Sequence, residues 1–201
     1  GGLAIVVAVL LFPANPLVVL RSARIEVLRT LHSVLTRTGD IASGRRIAAH
    51  DWPLPAVDRV HEQLGGLIQA RTTARQVVRV APRRWGLRNA VEAADHQGLH
   101  LALLAGSVLQ LARAVVPASQ SGPDGCCDRL PQPAEAVLID LARATALADS
   151  DPASASAHVD AARRHASALL SNARERTEVV LADVVQACVD DLQRVIELHQ
   201  P

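Results

Sequence analysis

His96 and His100 stand four residues apart in a stretch of helical periodicity, with Asp95 beside them. That spacing turns two imidazoles to one side of a helix, as a metal site requires. The Glu of an HExxH motif is missing, however, and no third ligand can be placed. The pair reads as solvated or capping histidines. His158 and His165 share a face seven residues apart and read the same way, while His61-Glu62 is isolated. Cys126-Cys127 has only Arg129 nearby in sequence to lower a thiol pKa, which leaves an inert loop pair. With Cys188 the chain has three cysteines, neither a disulfide framework nor a zinc pattern, as expected of a reducing compartment. No phosphate loop occurs: Gly65-Gly66 falls inside a helix, and Gly39 to Gly44 lacks a following Lys-Ser/Thr. The sequence therefore offers no catalytic site, no metal site and no cofactor site, and it reads as a non-enzyme.

Arg79, Arg83, Arg84 and Arg88 surround Trp85 at a corner with no acid among them. Such a cluster can meet anionic lipid head groups if the corner folds back towards a membrane, each Arg contributing about 1 kcal/mol near an acidic leaflet. The competing reading is a solvated corner with Trp85 tucked beneath it. Nucleic acid is not expected as a partner, because acids flank the other basic clusters and the formal charge is only +1.

The setting is decided by the first twenty residues. Leu3 to Phe12 is an unbroken apolar run, about 15 Å long as a helix, against roughly 30 Å of hydrocarbon in a bilayer. A secretory signal would need a basic start and a small-residue cleavage site, and neither is present. A buried core segment and the truncated end of a transmembrane helix remain. Arg21, Arg24 and Arg29 follow closely, with Glu26 the only acid before Arg37, and that charge placement marks the cytoplasmic side of a membrane exit. On this reading Leu3, Ile5, Val6, Val7, Val9, Leu10, Leu11 and Phe12 form the anchor, and Pro13 and Pro16 bend the chain at the interface. Arg21, Arg24, Arg83, Arg84 and Trp85 are the candidate contacts to anionic lipid. The start at Gly1-Gly2 and the absence of Met suggest a piece of a longer protein.

The elements that position these residues are all helical. Hydrophobic residues make up 49% and aromatics 1% of 201 residues, so the interior must be filled by Ala, Val and Leu, which suits close helix packing. Apolar residues at Leu20, Val27, Leu28, Leu31, Val34 and Leu35 make one stripe over about Leu17 to Thr38, with Arg21, Arg24, Glu26, Arg29 and Ser33 mostly off it. Gly39-Asp40 and Gly44 weaken that helix, and Asp51-Trp52-Pro53 marks a break. A second helix is expected over Pro55 to Val80, with Val57, Val60, Leu64, Leu67, Ala74 and Val78 inward. Gly65-Gly66 in its middle implies a tight neighbour or a bend. The third, about Leu87 to Val116, has two heptad seams: Val91, Gly98, Ala105, Ala112 and Ala94, Leu101, Val108, Val115. Helices two and three should pair antiparallel. A loop over Pro117 to Pro133 precedes helices at about Ala134–Ala148, Pro152–Asn172 and Arg174–His199. The expected fold is all-α, an elongated antiparallel bundle, divided as a membrane exit (1–16), a bundle (17–116), a loop (117–133) and C-terminal helices of the same domain (134–201).

Two stretches carry a resemblance. Val6–Leu35 (VVAVLLFPANPLVVLRSARIEVLRTLHSVL) is similar to the membrane-to-cytoplasm junction of FUSC-type transporters, the fusaric-acid-resistance and aromatic-acid-exporter group, in its actinobacterial branch. Arg79–Val115 resembles later helices of such proteins. The resemblance implies a multi-pass inner-membrane protein that exports small aromatic or other organic acids, with this part cytoplasmic. It implies the membrane and the rest of its own transmembrane domain as partners, with room for homo-oligomers. The rival reading is a soluble helical adaptor whose Leu3–Phe12 is core or a partner contact.

Overall fold

The computed structural model describes residues 15–46, 52–80, 86–120 and 130–198. Among them are six α-helices and no strand: α1 (Pro16–Ala42), α2 (Pro53–Val80), α3 (Arg88–Gln120), α4 (Gln132–Leu147), α5 (Pro152–Asn172) and α6 (Arg176–Glu197). Punctuation in the sequence sets most boundaries. Asn15 caps α1 by accepting from the Leu17 amide at 3.1 Å, and Pro16 opens the helix where its missing N–H is not needed. Asp151 caps α5 in the same way, ahead of Pro152. α6 begins with a reciprocal cap, in which the Glu178 carboxylate accepts from the amides of Arg174 and Glu175.

The helices alternate in direction, as residue pairs between them show. Arg71 and Arg75 of α2 meet Asp95 of α3, so α3 runs back along α2. Gly39 faces Leu138 and His32 Nδ1 meets the Ala142 carbonyl, so α4 runs back along α1. Ser107 meets Asp191 while Gln97 meets Leu198, so α6 runs back along α3. One end of the bundle, the Pro16 end, therefore gathers the starts of α1 and α3, the ends of α2 and α6, and the α4–α5 corner.

Both seams of α3 are buried as expected, Val91, Leu101, Ala105, Val108, Ala112 and Val115 almost completely. By length and composition Arg88–Val116 could also cross a membrane, yet half of its most apolar window lies inside the bundle. The outward side of α3 carries Leu99 and Leu103, both exposed. Trp52 is buried at the opposite end, with the Arg37 guanidinium 5.4 Å from its ring centroid.

Several local expectations change. α1 does not stop at Thr38; Gly39 is buried inside the helix, and a Cβ there would make ordinary contact with Leu138 at 3.7 Å. The chain turns at Gly44, whose φ of 70° is a left-handed conformation suited to glycine. α3 runs on to Gln120, and α4 begins at Gln132, inside the stretch read as loop. Leu130 is tied down through its amide to the Ala42 carbonyl at 3.0 Å. A tight neighbour does not explain Gly65-Gly66, since a Cβ at either position meets nothing within 4 Å, and α2 runs unbroken through them.

The two glycines thus carry helix-propensity cost with no packing reason. Gly65→Ala and Gly66→Ala should each stabilise the chain by about 1 kcal/mol, or roughly 2–4 °C in melting temperature. Thermal unfolding followed by circular dichroism checks this, and a drop in either variant would mean that α2 needs its open backbone.

Candidate functional site

At the Pro16 end a charged side chain is buried in the bundle. Arg24 lies on the inward stripe of α1, four residues after Leu20 and four before Leu28, and its side chain is only 10% exposed. This corrects its expected place off the stripe, and the spacing itself carried the signal. Arg24 Nη1 donates to Gln97 Oε1 of α3 at 3.0 Å, and Gln97 Nε2 donates to the Leu198 carbonyl at 2.5 Å, just past α6. Arg24 Nη2 lies 3.5 Å from Asp149 Oδ1 in the α4–α5 corner, near enough for Coulomb attraction but not engaged in a hydrogen bond. Arg21, on the rim, donates from Nη2 to Asp149 Oδ2 at 3.1 Å. Burial pulls the Arg24 guanidinium below its ordinary pKa, and Asp149 opposes that shift. Arg24 Nε, Nη2 and Asp149 Oδ1 are buried without hydrogen-bond partners beside a cavity of about 420 Å³ walled by Leu17, Leu20, Leu67 and Ala94. Asp149, Gln97 and Leu198 were not legible as partners, because nothing in their local sequence says which helix ends meet.

Beside this node lies a second, larger cleft, of about 790 Å³, between the end of α2 and the start of α3. Val78 and Val91 form its floor; Arg75, Arg79, Arg88, Glu92 and Asp95 form its rim. Asp95 takes hydrogen bonds from Arg71 at 2.5 Å and from Arg75. The bond from Arg71, with that from Arg75, holds its carboxyl below the usual range against the opposing effect of burial. Arg88 Nε reaches Glu92 at 3.4 Å.

The remaining candidates fall into place separately. His96 and His100 stack at 5.4 Å between centroids, and Asp95 is turned to arginines, so the three do not converge. His158 Nδ1 lies 3.1 Å and His165 Nε2 3.8 Å from the two oxygens of Asp140, a link between α4 and α5 absent from the sequence reading. Among the described residues no group of three His, Cys, Asp or Glu could hold a metal. Cys188 is buried, and burial pushes its thiol up to about 12, so it is not a nucleophile at neutral pH. Leu3, Ile5, Val6, Val7, Val9, Leu10, Leu11, Phe12, Arg83, Arg84, Trp85, Cys126 and Cys127 lie outside the described residues.

Two measurements follow. Removing Asp149 leaves a buried guanidinium without its counter-charge, so Asp149→Ala should cost about 3 kcal/mol in urea unfolding, whereas Arg21→Ala on the rim should cost less than about 1 kcal/mol. Equal, small losses would mean that Arg24 reaches solvent. For Asp95 the folded pKa is depressed, so its contribution is complete above about pH 4, the unfolded value, and is lost as pH falls through the folded one. Asp95→Asn should therefore cost about 1 kcal/mol at pH 7 and flatten the acid limb of a stability-against-pH curve; an unchanged limb rejects the assignment.

No family model matches the chain, and no solved structure matches it. It is 52% identical over all 201 residues to a protein of Mycobacterium bovis named "Putative arylamide transporter". The identity is the same to proteins of that name from two strains of Mycobacterium tuberculosis. The chain spans 55% of the length of these curated relatives. The likeness runs along the whole of this chain and about half of each relative.

Proposed function

We propose that this chain is the cytoplasmic helical domain of a multi-pass inner-membrane exporter, acting in assembly, gating or docking rather than as an enzyme. The observation that carries the reading is the 52% identity, over the whole chain, to proteins named for arylamide transport and almost twice as long. Leu3–Phe12 followed by Arg21, Arg24 and Arg29 supports a cytoplasmic exit by the positive-inside rule. The described helices bury a continuous core of their own, as expected of a domain hung from a membrane segment by α1. The FUSC-type resemblance of Val6–Leu35 and Arg79–Val115 supports small aromatic organic compounds, acids or arylamides, as the exported class.

The arrangement also suggests how such a domain takes part. On this reading α1 continues out of the bilayer, and two turns later Arg24 ties it to α3, to the α4–α5 corner and, through Gln97, to the end of α6. A displacement of the membrane helix would reach all of these elements at once.

Topology is the test. In cells carrying the full-length protein, trypsin added outside spheroplasts should leave the 17–201 region intact, and trypsin added to inverted vesicles should digest it. Cleavage from the outside, or recovery of the whole protein in the soluble fraction without detergent, would overturn the proposal.

A further inference from the structure

The cleft between α2 and α3 carries more arginine than its own acids neutralise. Three arginines, Arg75, Arg79 and Arg88, face two carboxylates, Glu92 and Asp95. Asp95 is engaged by Arg71 and Arg75. Arg88 meets Glu92 only at the exposed rim, where both side chains are mostly solvated and the pair is weak. Arg79 has no ion-pair or hydrogen-bond partner among the described residues. The first turn of α3 also opens here without an acidic residue to offset the positive end of the helix dipole. Beneath these charges the floor is Val78 and Val91, both buried.

That combination selects a class of ligand. An inorganic anion would use the arginines and leave the valine floor and most of the 790 Å³ empty. A molecule with an anionic head and an apolar body uses both. Location narrows it further. Val78 and Val91 share one apolar cluster with Leu20 of α1, so the cleft sits at the end of the bundle where α1 begins. At that same end Val18 is 62% exposed, a side chain suited to the headgroup boundary of a bilayer.

We infer that this cleft is a binding site for an anionic phospholipid, with the phosphodiester held by Arg79 and Arg88 and the acylglycerol resting on Val78 and Val91. The inference rests on the membrane reading above for its supply of lipid, but it concerns a separate property. It also differs from a diffuse attraction of arginines to a charged leaflet, because it specifies one saturable lipid and the residues that hold it.

The full-length protein, purified in neutral detergent, can be titrated with dioleoyl phosphatidylglycerol and followed by native mass spectrometry. One lipid should bind saturably. Arg79→Gln with Arg88→Gln should weaken it roughly 30-fold, at about fivefold per arginine, with the melting temperature unchanged. Arg79→Lys with Arg88→Lys should retain binding within a few-fold. Arg113→Gln, exposed about 37 Å further along α3, should bind like the parent chain. Dioleoyl phosphatidylcholine and millimolar inorganic phosphate should not displace the lipid. Parent-like binding by the double Gln variant, equal loss in Arg113→Gln, or displacement by phosphate or phosphatidylcholine overturns the site. Binding in micelles does not depend on topology. Lipid binding without the cytoplasmic orientation therefore sinks only the exporter reading, and the reverse result sinks only the cleft.

Discussion

α1 and α3 lie against each other through the middle of the bundle, and the other helices are built on that contact. α2 packs on both, α4 packs on α1, α6 packs on α3, and α5 closes the set against α4 and α6. The composition demands that the shared contact be close. With one Phe, two Trp and no Tyr, no side chain can fill a wide gap between layers. On α3, Gly98, Ala105 and Ala112 make one buried seam, with Gly98 turned to Arg71 of α2, and Leu101, Val108 and Val115 make the other. Small residues bring the backbones together, and the aliphatic ones then fill what little space remains. The same closeness limits tolerance. At Gly98 a Cβ would come within 3.1 Å of the Arg71 Cδ, so even alanine would press on the arginine that holds Asp95.

Into this interior the chain places Arg24, an expensive choice. A buried ion pair offsets desolvation only when its geometry is good, and apolar replacements are often neutral or better. Here the Arg24–Asp149 separation of 3.5 Å leaves hydrogen-bonding capacity unused on both sides. The pair is thus a poor source of net stability, although losing one member is costly. What it supplies is register. Leu20 and Leu28 could slide along an apolar partner at small cost, whereas a guanidinium between Gln97 and Asp149 has one favourable position.

Much of the fold could be read from periodicity. The seams of α3 and the stripe of α1 were both apparent, because each repeats over several turns. Single residues misled where a local rule met a tertiary one. Gly39 looked like a helix end, but α4 packs against it and the helix continues; Gly44, the residue with positive φ, is the turn. The candidate site was less legible. Arg24 looked like one of several exit arginines, since charge counting treats residues 21, 24 and 29 alike and ignores that only 24 falls on the stripe. Asp140 as the meeting point of His158 and His165, and Asp149 as the partner of Arg21 and Arg24, depend on which helices become neighbours.

Parity links the fold to the membrane reading. In a bundle of six alternating helices whose first begins at a bilayer, the α2–α3 and α4–α5 corners and the end of α6 return to that bilayer, while the other links lie far from it. The two near corners have opposite sequences, arginine-rich from Arg79 to Arg88 and acidic at Asp149 and Asp151. An acidic corner beside an anionic leaflet would be repelled if its charges were free. They are not: Asp149 faces Arg21 and Arg24, and Asp151 caps α5 by accepting from the Ser154 amide. On the arginine side Arg79 has no such counter-charge among the described residues. At the end of the bundle that carries α1's first turn, Asp149 is therefore turned to Arg21 and Arg24, while Asp151 and Glu92 stay exposed beside an Arg79 that has no partner among the described residues.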